Sequence, residues 1–271
     1  MTTSAPAPIS SKGTALVTGA STGIGAIYAD RLARRGYDLI LVARNQSRLD
    51  TLAERLRAET GRTVTPLAAD LSSKSDLARI EALLKQDDSI TVLVNNAGVG
   101  AVAPLQAANV DEMESMIDLN VTALTRLTYA IGPVFSAKGS GTIINISSVV
   151  GIAAEVLNGV YSASKAYVLA FGHSLQRDLA SKGVRIQTVL PAATATEFWD
   201  VAGYAAQKAS PTTMSAQDLV DAALAGLDQG ELVTIPTLHE GEDWTRWEAD
   251  RRSFKFSNAK PAPRYLAAVE A

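Results

Sequence analysis

Short runs of β-branched and other apolar residues alternate with longer amphipathic stretches along most of the chain. The short runs have the length of buried strands, and the stretches between them repeat their apolar positions at helical spacing. This alternation is typical of a parallel sheet that is covered by helices on both faces. It predicts a single-domain α/β fold with a doubly wound, seven-stranded parallel sheet. The predicted strands are Thr14–Thr18, Asp38–Ala43, Thr63–Ala68, Thr91–Val94, Gly141–Ser147, Arg185–Leu190 and Leu232–Ile235.

Turn residues and the two ends of the chain complete this outline. Three glycines follow amphipathic stretches, and glycine readily adopts the left-handed conformation that closes a helix. These are Gly36, Gly61 and Gly183. Residues 1–12 are rich in Ser, Thr, Ala and Pro, so we expect a flexible segment before the main domain, residues 13–271. A charged stretch after Glu240 predicts a last helix and an irregular tail.

The composition narrows the classes of function. Hydrophobic residues make up 47% of the 271 residues and charged residues 20%, which is enough for a large packed core. A net charge of -3 without basic clusters argues against a nucleic-acid partner. With no cysteine and two histidines, disulfides, thiol nucleophiles and a three-histidine metal site are excluded. No apolar run has the length of a membrane span, and no signal peptide precedes the domain, so we expect a cytoplasmic protein.

A glycine-rich turn, Thr18–Gly25, lies between the first predicted strand and a helix rich in Ala and Leu. Its glycines are spaced Gly-x-x-x-Gly-x-Gly, which lets the backbone bend sharply and approach a bound group closely. The helix that follows offers unpaired N–H groups and partial positive charge, which favour a pyrophosphate. The turn predicts a dinucleotide site, and the residues expected to contact it are Gly19, Ser21, Thr22, Gly23, Ile24 and Gly25.

The same turn also fits a different enzyme class. Gly19–Gly23 matches the G-x-S-x-G nucleophile elbow of hydrolases, with Ser21 as the nucleophile. Asp221 and His239 follow in the order that such a triad requires. The elbow would follow the first strand, however, and no HGGG-like segment is present to form an oxyanion hole. A serine hydrolase is therefore the weaker alternative.

The end of the second predicted strand indicates which dinucleotide is bound. An acidic residue at this position usually binds the ribose 2′-hydroxyl of NAD, and its carboxylate repels a 2′-phosphate. Here the strand ends in Ala43, Arg44 and Asn45. Arg44 offers a charge-assisted hydrogen bond with no opposing carboxylate, which favours NADP over NAD. Arg48 is a second cation that could assist.

Other polar or turn residues follow later strands. Because the carboxyl ends of parallel strands meet at one edge, where open α/β sheets bind ligands, we expect these residues to surround one crevice. Asp70 could accept a hydrogen bond from an adenine amino group, and Asn95–Gly98 could pass closely beneath the cofactor. The residues predicted to contact the cofactor here are Asp70, Leu71, Asn96, Ala97, Gly98 and Pro191, and Ser148 follows the fifth strand.

Tyr161 and Lys165 stand four residues apart at the start of a predicted helix, Tyr161–Ala180. This spacing places them on one helix face, about one turn apart. A nearby ammonium favours a phenolate, so we expect Lys165 to lower the pKa of Tyr161. Tyr161 would then serve as a general acid and base.

Taken together, these motifs resemble those of the short-chain dehydrogenase/reductase family. The resemblance runs from about Gly13 to Ile235 and implies a Rossmann-like fold. It implies that Ser148 orients the substrate oxygen, that Tyr161 exchanges the proton, and that Lys165 binds the nicotinamide ribose and tunes Tyr161. It also implies that Asn120 anchors a water relay to Lys165. From the residues alone, Asn120 is a polar residue in a predicted helix, residues 111–130, and Ser147 and Ser148 cannot be distinguished. With the resemblance, the spacing to Tyr161 favours Ser148.

The segment after Pro191 departs from the family, because Ala192 replaces the usual glycine. We expect residues 192–215 to form a small substrate lid, with Thr194 or Thr196 binding the nicotinamide carboxamide or a phosphate. Two aromatic residues could cover the substrate, and the resemblance places two further polar residues in the pocket wall. The predicted substrate residues are Glu155, Asn158, Phe198 and Trp199.

These observations predict an NADP(H)-preferring oxidoreductase, an alcohol dehydrogenase or carbonyl reductase that interconverts a secondary alcohol and a carbonyl compound without a metal. A dinucleotide-binding sensor of the same fold is the alternative. The resemblance implies a homo-oligomer, a tetramer or a dimer, formed through helices at residues 111–135 and 161–180. The sequence does not indicate which small-molecule carbonyl compound is the substrate.

Overall fold

A computed structural model describes residues 12–254 of the chain. In chain order, the strands are β1 Thr14–Thr18, β2 Asp38–Ala43, β3 Val64–Ala68, β4 Ile90–Asn95, β5 Gly141–Ile146, β6 Val184–Val189, β7 Thr194–Ala195, β8 Met214–Ser215 and β9 Val233–Thr234. The α-helices are α1 Gly23–Arg34, α2 Gln46–Thr60, α3 Lys74–Gln86, α4 Val110–Ile117, α5 Leu124–Lys138, α6 Gly159–Leu179, α7 Phe198–Val201, α8 Ala216–Gln229 and α9 Gly241–Ser253.

Seven strands form one parallel sheet in the order β3-β2-β1-β4-β5-β6-β9. The strand order reverses between β1 and β4, so the crossovers diverge there and leave a crevice at the carboxyl edge. All seven predicted strands belong to this sheet, and their ends differ from the prediction by one residue at most. The predicted doubly wound, Rossmann-like fold is therefore confirmed.

The two faces of the sheet carry separate apolar clusters, which is why helices cover both. Ala15 and Val17 of β1 point into the cluster that is shared with α1, α2 and α8. Leu16, between them, points into the cluster that is shared with α3 and α5. Successive strand residues face opposite sides of a sheet, so an unbroken apolar strand fills both layers.

Two features of the fold differ from the sequence-based expectation. The predicted helix at residues 111–130 is not continuous: a π-helical turn, Asp118–Ala123, separates α4 from α5. The π-helical turn is only six residues long, which is too short for hydrophobic periodicity to distinguish it from the α-helices on either side. The second difference is a small sheet in the predicted lid, where β7 and β8 pair in parallel.

The chain divides into two compact units at Pro236 and Thr237. The second unit contains α9, the last helix predicted from the sequence, with acidic residues in its first turn and basic residues in its last. This distribution of charge complements the helix dipole. The predicted tail, and the predicted N-terminal segment before Lys12, lie outside the described residues. None of the helices in residues 12–254 has the length and apolar character needed to cross a membrane.

The three glycines that were predicted to close helices all have positive φ angles. Gly61 and Gly183 provide a matched test, because their φ angles are similar, +67° and +75°, while their surroundings differ. A β-carbon on Gly61 would meet no atom within 4 Å, whereas one on Gly183 would lie 2.1 Å from the carbonyl oxygen of Gly139.

We predict that Gly61→Ala lowers the free energy of unfolding by about 1–2 kcal/mol, the strain of a left-handed alanine. Gly183→Ala should lower it by a further ~1–3 kcal/mol, because the clash with Gly139 adds to the same strain. Urea denaturation measures both values. Equal losses in the two variants would contradict the assignment of a close backbone approach at Gly183.

Candidate active site

A cavity of about 620 Å³ lies at the carboxyl edge of the sheet, around the crevice between β1 and β4. All but one of the predicted cofactor residues line it. These are Gly19, Ser21, Thr22, Gly23, Ile24, Arg44, Asp70, Leu71, Asn96, Ala97, Gly98, Tyr161, Lys165, Pro191, Thr194 and Thr196. Residues that are distant in the chain thus meet around one space, as the carboxyl-edge argument predicts.

The glycine turn presents the N-terminus of α1 to this cavity. Thr22 precedes α1 without making a side-chain cap, and the first turn of α1 holds no acidic residue. The helix N-terminus therefore keeps the donors and partial charge that suit a phosphate. Gly25 does not line the cavity; a β-carbon there would lie 2.3 Å from the carbonyl oxygen of Gly19. Its role is to let α1 pack closely against the turn.

Thr18 and Asn96 join the ends of β1 and β4 beneath the turn. The Thr18 hydroxyl accepts hydrogen bonds from the backbone N–H groups of Asn96 and Ala97, each at 3.0 Å. The Asn96 amide donates to the carbonyl oxygens of Thr18 at 2.8 Å and of Gly19 at 3.2 Å. A β-carbon on Gly19 would lie 2.7 Å from Asn96 Nδ2, so this close joint requires glycine.

The two arginines near the end of β2 have different surroundings. Arg48 Nη1 donates to Glu197 Oε2 at 2.7 Å, and this ion pair joins α2 to the segment before α7. Both arginines line the cavity, but the Arg44 guanidinium makes no hydrogen bond or ion pair within residues 12–254. Arg44 is therefore the guanidinium that is available to a ligand phosphate, while Arg48 is already paired.

Ser148, Tyr161 and Lys165 lie together in the cavity wall, and each is at most 8% exposed. The Asn158 side chain caps α6 by accepting hydrogen bonds from Val160 and Tyr161, which sets where the helix begins. Lys165 Nζ lies 5.8 Å from the centre of the Tyr161 ring and donates to the carbonyl oxygen of Ile146 at 3.0 Å. The helical spacing of Tyr161 and Lys165 thus brings both groups to one site, as predicted.

Burial controls the protonation of this pair. It raises the pKa of the Tyr161 phenol to about 12, and the hydrogen bond with the Ser148 side chain only partly opposes this rise. It also lowers the pKa of the Lys165 ammonium to about 8. The structure therefore does not show the lowered Tyr161 pKa that was expected from Lys165, because burial raises this pKa and the opposing effect comes from Ser148.

Asn120 does not line the cavity, and the π-helical turn aims its side chain at the loop after β4. Its Oδ1 accepts from the N–H of Val99 at 3.0 Å, and its Nδ2 donates to the carbonyl oxygen of Val99 at 2.9 Å. Nδ2 also donates to Ser164 Oγ, which donates in turn to the carbonyl oxygen of Tyr161. The side chain thus ties the loop to α6, and the water relay stays a prediction.

Two of the four predicted substrate residues are not in the cavity wall. Phe198 and Trp199 line the cavity, but Glu155 is exposed outside it. Asn158 is absent from the wall because its amide caps α6 and donates to the carbonyl oxygen of Ala103 at 2.6 Å. Position between Ser148 and Tyr161 in the sequence was therefore a poor guide to the wall of the pocket.

Several lining residues were not predicted. Most are apolar, so the sequence carries no signal that separates them from core residues. They include Val99, Val149, Val150, Val156, Leu157, Val201, Tyr204 and Gln207.

The two lid threonines, which the sequence could not rank, have different surroundings. The Thr196 side chain lies over Gly23, whereas Thr194 is buried and donates to the carbonyl oxygen of Ala192.

The hydrolase alternative lacks its acid. Arg31 donates to both carboxylate oxygens of Asp221, at 2.6 and 3.0 Å. This pairing lowers the pKa of Asp221 and occupies the oxygens that a triad histidine would need. Ser21 lines the cavity at the carboxyl edge of the sheet instead, beside the glycines of the turn.

The helices that were predicted to form subunit contacts carry exposed aromatic residues. Tyr129 is 69% exposed and stacks on Phe171, with ring centres 6.2 Å apart. Phe171 also stacks on Tyr167 at 5.7 Å. The homo-oligomer itself stays a prediction.

Known proteins are similar to this chain in sequence and in fold. A solved short-chain dehydrogenase from Sphingobium yanoikuyae, in complex with NADPH, is 47% identical with a TM-score of 0.91, covering 93% of this chain and 99% of its own. A bulky-bulky ketone specific alcohol dehydrogenase from Comamonas testosteroni is 44% identical with a TM-score of 0.88, covering 95% and 100%. Sulfoacetaldehyde reductase 2 from Chromohalobacter salexigens is 34% identical over 87% of this chain and 98% of its own.

The sequence model of the short chain dehydrogenase family matches residues 13–206. This range contains the glycine turn, the joint between Thr18 and Asn96, and the buried group formed by Ser148, Tyr161 and Lys165. The match covers most of the chain and agrees with the solved structures in fold. The protein therefore belongs to the short-chain dehydrogenase/reductase family of oxidoreductases.

Proposed function

We propose that this protein is an NADP(H)-preferring oxidoreductase that interconverts bulky, uncharged ketones and secondary alcohols. The observation that carries the proposal is the burial of Ser148, Tyr161 and Lys165 in the wall of the cavity that also holds the glycine turn. A hydride donor and a proton donor must reach the same carbonyl group, and this arrangement provides for both.

Both the backbone of the glycine turn and the charged groups in the cavity wall suit NADP. The uncapped N-terminus of α1 would bind the pyrophosphate, with the Thr196 side chain above it, and Arg44 would bind the 2′-phosphate. The absence of β-carbons at Gly19 and Gly25 lets the turn pack closely enough to approach the pyrophosphate. The NADPH complex of the relative from Sphingobium yanoikuyae supports this cofactor.

The buried residues would handle the proton in ketone reduction. Bound NADPH supplies the hydride that converts the carbonyl carbon to a carbinol. Ser148 would hydrogen-bond the carbonyl oxygen, and Tyr161 would give that oxygen the proton that completes the hydroxyl. A pKa near 12 keeps the phenol protonated at neutral pH, ready to act as an acid. Lys165 would bind the nicotinamide ribose. It would also return a proton to the Tyr161 phenolate through the water relay.

The proposed substrate class follows from the wall beside Tyr161. Apart from Ser148 and Lys165, the residues that pack around Tyr161 and line the cavity are apolar; they include Val99, Val150, Leu157 and Phe198. A sulfonate or carboxylate on the substrate would find no counter-ion among them, which separates this site from an aldehyde reductase for anionic substrates. The ketone-specific relative from Comamonas testosteroni supports a bulky, uncharged ketone instead.

Tyr161→Phe tests the proton donor directly. We predict that kcat for ketone reduction falls by about 10²–10⁴-fold, the usual contribution of a positioned acid, while the Kd for NADPH changes little. NADPH oxidation followed at 340 nm and a fluorescence titration provide the two values. A fully active variant would exclude Tyr161 as the donor, and a wild type that binds NADPH without turning over would favour the sensor.

Arg44→Ala tests the choice of dinucleotide. Losing one charge-assisted contact of about 1.5–3 kcal/mol should weaken NADPH by roughly 10- to 100-fold, while NADH binding changes only slightly. Arg35→Ala is the matched control, because Arg35 pairs with Asp228 and does not line this cavity. Equal losses for NADPH and NADH would contradict a 2′-phosphate role for Arg44.

Lys165→Met tests the burial of the ammonium through stability. Its pKa is lowered from an ordinary 10.5 to about 8, so between these values the unfolded chain binds the proton that the folded chain has lost. Stability therefore rises with pH in this window. From pH 7 to 10, the wild type should gain about 2–3 kcal/mol relative to Lys165→Met. Chemical denaturation at both pH values measures this gain. A difference in unfolding free energy between the two proteins that stays constant with pH would show that the pKa of Lys165 is not lowered.

A further inference from the structure

Phe198, the first residue of α7, packs against the proposed proton donor. Its ring centre lies 5.6 Å from that of Tyr161, with the rings tilted by 45°. Both rings belong to an apolar cluster with Met113, Met116 and Val150, and both rings line the cavity together with Val150. The Phe198 ring therefore occupies space that a substituent of the ketone would otherwise fill.

Gly100 receives the other side of this ring. A β-carbon on Gly100 would lie 2.2 Å from Phe198 Cζ and 2.6 Å from Cε2. Gly100 is buried and does not have a positive φ angle, so its backbone conformation does not require glycine. The requirement is for space alone: the missing side chain forms a notch that is filled by the tip of the Phe198 ring.

The ring cannot easily retreat from the notch. Trp199 packs edge-on against it with ring centres 5.3 Å apart, and Trp199 Nε1 donates to the carbonyl oxygen of Thr194 at 2.9 Å. On the other side of Phe198, Glu197 is paired with Arg48. This half-exposed ion pair adds little, but Trp199 is buried and hydrogen-bonded. We therefore expect a β-carbon at Gly100 to displace the Phe198 ring toward Tyr161.

We propose that Gly100 and Phe198 form a steric pair that determines substrate size. The notch at Gly100 holds the Phe198 ring beside Tyr161, and the ring limits the bulk of one substituent on the ketone. Phe198 is thus a specificity-determining residue, and Gly100 positions it. The substrate part of this assignment rests on the proposed function; the steric part concerns packing alone.

A double-mutant cycle tests the pair with Gly100→Ala, Phe198→Ala and the double variant, with acetophenone and benzophenone as probes. Gly100→Ala should lower kcat/KM for both ketones by at least ~10-fold in the wild-type background, and by less than about 2-fold in the Phe198→Ala background. Phe198→Ala should raise the ratio of kcat/KM for benzophenone to kcat/KM for acetophenone by at least ~10-fold. The control Gly132→Ala, whose β-carbon would meet only Leu179 Cδ1 at 3.8 Å, should change neither value.

Melting temperature separates this proposal from the proposed function. Gly100→Ala should lower it by roughly 3–8 °C in the wild-type background but by under about 2 °C in the Phe198→Ala background, whether or not the protein reduces ketones. Absence of NADPH-dependent reduction in the wild type would count against the proposed function alone. Equal effects of Gly100→Ala in both backgrounds would overturn the steric pair, and an unchanged ketone ratio in Phe198→Ala would overturn its role in specificity.

Discussion

The joint between Thr18 and Asn96 is the interaction on which the site depends. It crosses the point where strand order reverses, and it fixes the glycine turn after β1 against the loop after β4. The joint can form only because Gly19 lacks a β-carbon, and it directs the chain toward Val99, where Asn120 holds the loop. One set of hydrogen bonds thus aligns the proposed cofactor site with α6, the helix that carries Tyr161 and Lys165.

Local patterns predicted the fold and much of the site, because both follow from short sequence spacings. Strand periodicity placed the polar ends at one edge. Both Ser147 and Ser148 line the cavity there, but the Ser147 hydroxyl donates to the carbonyl oxygen of Lys165 at 2.7 Å. Properties set by packing between distant segments could not be predicted. The burial that raises the pKa of Tyr161 and the contact of Phe198 with Gly100 are of this kind.

Burial of Lys165 and Tyr161 lowers the stability of the fold but favours the chemistry that we propose for the site. A charged ammonium in the wall of an apolar cavity is unfavourable for folding, which its pKa of about 8 records. The same loss of hydration would strengthen the polar contacts that we propose for the two groups with a bound reactant. A single backbone acceptor, the carbonyl oxygen of Ile146, orients the ammonium at 3.0 Å. A loss of folding stability at a functional site is common, because selection maintains activity as well as stability.

We propose that the cavity holds a ketone and a nicotinamide in one fixed arrangement, so that hydride passes directly between them. Reduction of benzophenone with the two C4-deuterated epimers of NADPH, followed by mass spectrometry of the alcohol, tests this most directly. A chiral site with one wall of proton donors should place deuterium on the carbinol carbon from one epimer and none from the other. Deuterium from both epimers, or an unlabelled alcohol from each, would contradict the account.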